Sequence, residues 1–371
     1  MDLTTRLMLN RPPAAAMRTL LSTRRRLRAV RDRLMPPNGT IIERSLAPLE
    51  SRCLSIAADL DLAGLLAERP RSTADLSGRT GADVDALERL LQLLSSTGVF
   101  ARRTDGRWTN TSLSRVLVDS HPLSIRQWAR FFGSAEMFEI LANADKSIDT
   151  GASATEATHG VPFFSWVTDV DPETGERFDA AQRDGSRLVG LSLVREVDLS
   201  STRVMCDVGG GTGRLIGQVL ANTPEMSGVL FDLPEVVERS DDVLAEYGVA
   251  ARVDTVGGSF FDEVPRAADT YVLVSVVHDW NDAEATHILR NCAAACGPDD
   301  RVLVVEQVLE PDRTPMFERH SDMLMLFLTG AGRERTDARF RSLFADAQLE
   351  VTQTWPLATL HTVYELRPTS S

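Results

Sequence analysis

Two periodicities divide the chain. Up to about residue 196 the apolar positions recur mostly at helical spacing, and from residue 203 short apolar runs alternate with amphipathic segments. The stretch 49–66 places Leu54, Ala57, Ala58 and Leu62 on one helical face. A short helix is expected at 73–80, closed by Gly81, and a third at 83–96, where Leu87, Leu90, Leu91 and Leu94 stand at i, i+3, i+4 and i+7 and Gly98 stops the run. Extended runs at 99–102 and 107–110 flank Asp105-Gly106, a hairpin turn pair. Helices followed by a hairpin make a winged helix. Its third helix carries Asp83, Asp85, Glu88 and Arg89, the wrong balance of charge for a phosphate backbone, so a dimerisation module is expected rather than a DNA reader.

Residues 121–196 read as helical and aromatic, with Trp128, Phe131, Phe132, Phe138, Phe163, Phe164, Trp166 and Phe178. Such a stretch serves as plain core or walls an apolar pocket, and both readings stay open. Beyond it, strands are expected at 203–208, 228–231, 252–256, 269–276, 301–308, 349–355 and 361–367. Helices fall between, at 213–222, 234–247, 282–296, 315–328 and 337–347. Alternation of this kind predicts an α/β fold on a parallel sheet. Pro356 and the absence of a helix between the last two strands predict one antiparallel strand near the end.

The first strand of this half runs into Asp207-Val208-Gly209-Gly210-Gly211-Thr212-Gly213, and Leu215, Ile216, Val219 and Leu220 follow at helical spacing. Strand, glycine bend and helix N-terminus together form a nucleotide cradle. The next strand ends in Asp232, 25 residues beyond Asp207, near the offset at which an acid grips ribose hydroxyls. Arg214 stands where a dinucleotide fingerprint wants its third glycine, and no Lys-Ser or Lys-Thr pair follows, which excludes a P-loop.

Other chemistry falls on the same rim, because ligands of open α/β sheets bind at the carboxyl ends of the strands. The fourth strand is expected to lead directly into His278-Asp279-Trp280, with Asn281 or Asp282 capping the next helix. His278 suits proton abstraction near neutral pH. Glu306 lies late in the fifth strand, and Glu334 lies in a glycine-flanked loop at 330–336. A carboxylate beside an imidazole sets its tautomer and stabilises its cation.

Composition narrows the class. The 371 residues exceed one ordinary core, and the balance of 43% hydrophobic to 25% charged residues is that of a globular protein. A net charge of −13 argues against nucleic acid or an anionic membrane as main partner. Arginines cluster between Arg11 and Arg33, so 1–48 is read as a basic arm, solvated or packed on a partner subunit, with 17–34 as an amphipathic helix. Cys53, Cys206, Cys292 and Cys296 show no disulfide framework. No signal peptide or membrane-spanning stretch is evident, and a cytoplasmic location is expected.

Residues 49–367 resemble the class I S-adenosylmethionine-dependent small-molecule O-methyltransferases, the plant caffeate and flavonoid enzymes and their actinomycete antibiotic-tailoring relatives. The matching pieces are the winged-helix segment, the run from Asp207 to Gly213, Phe231-Asp232-Leu233-Pro234, Gly258-Ser259-Phe260-Phe261, His278-Asp279-Trp280, Glu306 and Arg333-Glu334-Arg335-Thr336. The resemblance implies a Rossmann-like seven-stranded methyltransferase domain at 198–371, a winged-helix dimerisation domain at 49–120, and pocket helices at 121–197. It implies a homodimer, with His278 as base bracketed by Glu306 and Glu334. Asp207, Gly209, Gly210, Gly211, Asp232, Leu233, Ser259, Phe260 and Ser275 form the expected S-adenosyl-L-methionine set, in which Asp232 takes the ribose and Phe260 packs on adenine. Phe163, Trp166, Asp279, Met325 and Thr329 are expected around a small hydroxylated, aromatic or polyketide-like acceptor. Ser259 departs from the family, which usually carries Asp there, so its hydroxyl lacks charge assistance toward the adenine amino group.

Three other readings compete. One is C- or N-methylation, for which a base is less needed, with or without metal assistance from His278, Asp279 and His320; the favoured reading involves no metal. Another is a winged-helix regulator that senses a ligand. The third is a nicotinamide dehydrogenase, which the place of Arg214 disfavours.

Overall fold

The computed structural model describes residues 34–310 and 316–369 and, before them, only positions 19, 23, 26, 27 and 30. The expected amphipathic helix at 17–34 therefore lies almost wholly outside the described residues. These fall into two compact units. One comprises residues 34–144 and Thr158–Gly185, the other Asp145–Ala157 and residues 186–369.

The first unit opens with the helix Pro37–Asp59, followed by Leu62–Glu68, Thr73–Thr80 and Val84–Ser96. The single helix expected over 49–66 is broken. Asp61 sits in the left-handed region at φ 52°, and its carboxylate lies where a Cβ on Gly64 would stand. Asp tolerates that conformation better than most residues, and Arg126 holds its carboxylate at 3.2 Å. Ser72 and Asp83 cap the next two helices by accepting the N–H groups of Asp75 and Ala86. Strands β1 (Phe100–Arg102) and β2 (Trp108–Asn110) pair antiparallel around Asp105-Gly106, where Gly106 has φ 79°. Leu62, Leu76, Leu91 and Leu94 meet Phe100 and Trp108 in one core, and the Trp108 indole N–H donates to Thr73 Oγ1 at 3.0 Å.

The second unit is built on strands β3 (Val204–Val208), β4 (Ser227–Asp232), β5 (Val253–Gly257), β6 (Thr270–Val274), β7 (Arg301–Leu309), β8 (Arg335–Thr336), β9 (Leu349–Pro356) and β10 (His361–Pro368). The main path runs β5-β4-β3-β6-β7-β10-β9, with the two-residue β8 paired to β7. Strands β3 to β7 are parallel, and β10 runs antiparallel to both its neighbours. The expected late antiparallel strand is thus β10.

Alternate residues of each central strand face opposite layers. Cys206, Leu273 and Val304 pack with Ile288, Leu289 and Phe344, whereas Met205, Val272 and Leu303 pack with Ile216, Val219 and Leu220. Full burial of each such aliphatic side chain contributes about 1.5–3 kcal/mol. The central strands are covered on both faces, so their ends are what remains open to a ligand, and the order reverses between β3 and β6. Ligands enter such sheets at that point.

Two boundaries depart from expectation. The helix expected over 234–247 is two helices, Pro234–Val237 and Asp241–Glu246. The strand expected through 276 ends at Val274, because Ser275 turns left-handed at φ 53°. Among the described residues no helix is long and apolar enough to cross a membrane.

Candidate active site

The glycine bend is shaped by the backbone. Gly209 and Gly210 both donate their N–H groups to the Phe231 carbonyl, at 2.8 and 3.3 Å, which ties β3 to the end of β4. Gly211 N–H donates to Asp232 Oδ2 at 2.8 Å, and Leu233 N–H to Asp232 Oδ1 at 2.7 Å. A Cβ at Gly210 would lie 2.6 Å from both the Asp207 carboxyl carbon and Leu230. One at Gly211, where φ is +59°, would meet nothing within 4 Å, so the loop presents an open face there. Asp207 is buried, and its Oδ2 has no hydrogen-bond partner among the described residues. Burial pushes its carboxyl up to about 7, the Ile216 N–H opposes the shift, and the Asp232 charge adds to it.

Phe260 stands beside this bend, 3.5 Å from the place of a Gly209 Cβ and edge-on to Trp280, with ring centroids 5.9 Å apart. Ser259 Oγ accepts the Phe261 N–H at 3.2 Å, so its hydroxyl caps the local turn. Ser275 donates its N–H to the Val305 carbonyl at 3.0 Å as the chain leaves the sheet.

His278 therefore sits on a 3-10 turn, Val277–Asp279, rather than directly at a strand end. The turn is held by the Glu306 carboxylate of β7, whose Oε1 accepts the N–H groups of Val277 and His278 at 2.8 and 3.3 Å. The imidazole Nδ1 lies 3.1 Å from Glu334 Oε1 and 3.6 Å from Glu306 Oε2, while Nε2 lies 3.5 Å from Asp279 Oδ1. Burial opposes charge on the ring, but Glu306, Glu334 and Asp279 together hold its pKa well above the ordinary imidazole value. Burial also raises Glu306, to about 7, and Asp279, to about 6, with the imidazolium pulling both back. Glu334 ends below the usual carboxylate range, because His278 and the Ser321 hydroxyl outweigh its burial.

The geometry of this turn comes from a residue to which sequence reading gave no role. Arg335 is 1% exposed, and it donates to the carbonyls of Val277 and Trp280 at 2.9 and 2.6 Å and to Asp282 Oδ1 at 2.9 Å. One guanidinium thus spans both ends of the His278 turn and the start of the next helix. Arg333 N–H donates to the His278 carbonyl at 2.7 Å. Gly332 is required nearby, because a Cβ there would stand 2.8 Å from the same oxygen. Ser321 Oγ donates to Glu334 Oε1 at 2.7 Å, and Asp322 accepts the Glu334 N–H at 3.0 Å. The only sequence signal for Arg335 is its place in the run Arg333–Thr336; nothing local marks Ser321. Asn281 caps the helix Asp282–Ala295 in a reciprocal box with Glu284.

The remaining candidates divide. Thr329 Oγ1 donates to the Met325 carbonyl and accepts the Gly332 N–H, so it braces the loop that carries Glu334. Phe163 and Trp166 are buried in the aromatic core of the other unit, Trp166 stacked on His159 at 4.1 Å and Phe163 edge-on to Phe178 at 5.1 Å. The alternative set of His278, Asp279 and His320 does not converge. Among the described residues the converging group is His278, Glu306 and Glu334. A cavity of about 350 Å³ opens beside Glu334, lined by Asp322, Met323, Leu326, Arg333 and Arg339, but neither His278 nor the glycine bend borders it.

Residues 141–349 match the O-methyltransferase domain, and residues 45–120 match the O-methyltransferase dimerisation domain. The chain is 35% identical to phenazine O-methyltransferase PhzM of Lysobacter antibioticus, over 86% of this chain and 92% of that protein. It is 32% identical to the mitomycin biosynthesis 6-O-methyltransferase of Streptomyces lavendulae, over 83% and 87%. It superposes on human N-acetylserotonin methyltransferase, solved with S-adenosylmethionine, with a TM-score of 0.83 and 26% identity over 91% of this chain and 99% of that one. The bend fits that cofactor: an open glycine face, a carboxylate at the end of β4 and an aromatic ring beside Gly209 stand together. The chain belongs to the O-methyltransferase family and is an S-adenosylmethionine-dependent O-methyltransferase.

Proposed function

We propose that the enzyme methylates a hydroxyl, phenolic in character, of a small aromatic or polyketide-like metabolite, with His278 as general base. The observation that carries this reading is the imidazole held at Nδ1 by Glu334, with Glu306 behind it. A phenol near pKa 10 gives its proton to an ordinary imidazole near 6.5 only uphill, by roughly 3–4 units. The three surrounding carboxyl groups raise the ring's basicity and narrow that gap. With Nδ1–H donated to Glu334, the Nε2 lone pair is left to take the acceptor proton, and Asp279 lies beside the cation that results.

The donor set is Asp207, Gly209, Gly210, Gly211, Asp232, Leu233, Ser259, Phe260 and Ser275. Bound there, S-adenosylmethionine supplies a methyl group already activated by its sulfonium. Arg335, Gly332 and Arg333 keep the His278 turn in place, so the protein's share of catalysis is alignment and one proton transfer. Met325 and Thr329 are assigned to the acceptor side. The protein works as a homodimer through residues 45–120. The exposed apolar side chains of Ile41, Ile42, Leu46 and Leu49 on the helix Pro37–Asp59 support a covered face there.

His278→Ala tests the reading. Turnover should fall about 10²–10⁴-fold, the usual worth of a positioned base, while S-adenosylmethionine affinity by calorimetry stays within about twofold. Unchanged turnover would remove His278 from the mechanism.

A further inference from the structure

We propose that His278, Glu306 and Glu334 form a three-ligand site for a divalent transition-metal cation, zinc foremost, and that its occupancy blocks the imidazole. One ligand atom from each residue lies within 4.8 Å of the others. Nδ1 stands 3.1 Å from Glu334 Oε1 and 3.6 Å from Glu306 Oε2. Zinc bound tetrahedrally to nitrogen and oxygen at about 2.0–2.2 Å needs ligand atoms about 3.4 Å apart. Two of the three spacings, those from Nδ1, are already close to that value.

A second observation is independent of the spacing. Each carboxylate is anchored through Oε1 and, among the described residues, makes no hydrogen bond through Oε2; Glu306 faces Nδ1 through Oε2, and Glu334 faces it through Oε1. Glu306 Oε1 holds the Val277 and His278 N–H groups, and Glu334 Oε1 takes the Ser321 hydroxyl. Glu306 Oε2 and Glu334 Oε2 are buried with no hydrogen-bond partner among the described residues, on side chains 0% exposed. A buried carboxylate oxygen without a hydrogen bond is costly, and a cation against Glu306 Oε2, the one of the two that faces Nδ1, removes that cost. Both anchors survive cation binding, so no backbone has to move. One imidazole and two carboxylates suit zinc, cobalt or nickel better than calcium or magnesium, which prefer all-oxygen shells. The three ligands leave a fourth position for water.

The chemical consequence follows from the tautomer. An imidazole that coordinates through Nδ1 carries its remaining proton on Nε2; the proton that the charged ring held on Nδ1 passes to solvent as the cation binds. Nε2 then has no lone pair for the acceptor hydroxyl. The cation therefore acts on the base and leaves the donor cradle untouched. Binding rests on the cluster alone; inhibition rests in addition on His278 being the base.

The test uses the full-length protein, stripped with a chelator and dialysed. Zinc is titrated against a chromophoric chelator, and cobalt against the visible spectrum. Wild type should bind one equivalent, cobalt should give tetrahedral bands, and turnover should be lost in step with occupancy and restored by chelator. Glu306→Gln and Glu334→Gln should each weaken zinc at least tenfold, with S-adenosylmethionine affinity retained as the sign of a folded protein. In Glu306→Gln the new amide oxygen can still accept the turn's N–H groups, which keeps that variant informative. No stoichiometric binding in wild type, or the same affinity in both variants, would overturn the site. Zinc bound by wild type and lost in His278→Ala, yet without effect on wild-type turnover, would leave the site standing and count against His278 as the base.

Discussion

The glycine bend after β3 and the His278 turn after β6 share one rim of one sheet, yet they are made in opposite ways. The bend is backbone. Three consecutive glycines and the carboxylate of the neighbouring strand set its shape, and side chains mostly stay out. The His278 turn is side chain. Its ring is placed by Glu306 from β7, Glu334 from a distant loop, and Arg335 gripping the backbone on both sides. A site made of backbone fails when a Cβ is added, and one made of side chains fails when a charge or a donor is removed.

The largest effect should come from Arg335→Met. It leaves the Val277 and Trp280 carbonyls without their donor and strips a buried partner from Asp282. About 3–5 kcal/mol of stability should be lost, measured by denaturant titration, with turnover falling more than donor affinity. Arg335→Lys should recover part of the stability. Equal losses in donor affinity and turnover would show that Arg335 supports the whole unit rather than the turn.

Next comes pH, acting at the bend. The folded carboxyl of Asp207 titrates at about 7, above the unfolded value near 3.9. The folded state therefore holds the extra proton between about pH 4 and 7, and stability falls as pH rises through that window. The contribution is up to about 4 kcal/mol, from roughly three pKa units. Asp207→Asn should flatten the difference in unfolding free energy between about pH 4 and pH 7, where the wild type changes most. A wild type and variant with parallel pH profiles would rule this out.

A smaller loss is expected for Gly210→Ala. Its Cβ would lie 2.6 Å from the Asp207 carboxyl carbon and from Leu230, so overpacking of about 1–3 kcal/mol should result, chiefly as weaker S-adenosylmethionine binding by calorimetry. Gly211→Ala meets no neighbour and should be limited by its positive φ alone. The smallest effect is that of Ser321→Ala. One hydrogen bond to Glu334 is lost, worth about 0.5–1.5 kcal/mol, and turnover should drop roughly three- to tenfold with donor affinity unchanged. An unaltered turnover would mean that His278 alone orients Glu334.

How far each region was legible follows the same division. The bend was legible because its residues are contiguous and its glycines are demanded by conformation. The helices and parallel strands of residues 203–367 were legible from periodicity, except where one residue intervened. Asp61 broke an expected helix and Ser275 cut an expected strand short, both by entering left-handed conformations that no apolar pattern announces. Arg335 and Ser321 were invisible as functional parts, because their partners lie far along the chain: Arg335 reaches Val277 from 58 positions away. His278, Glu306 and Glu334 could be named as candidates by type and place, but the distances among them could not be.

The order of hydrophobic and polar residues by itself determined the α/β class, the strand and helix succession and the glycine bend, since each depends on neighbours within a few residues. Only the tertiary structure decided which oxygen faces Nδ1, which carboxylate holds the turn and which oxygens are left unpartnered. Those facts depend on how three separate segments are brought to one rim, and electrostatic and hydrogen-bond energies there change over fractions of an ångström.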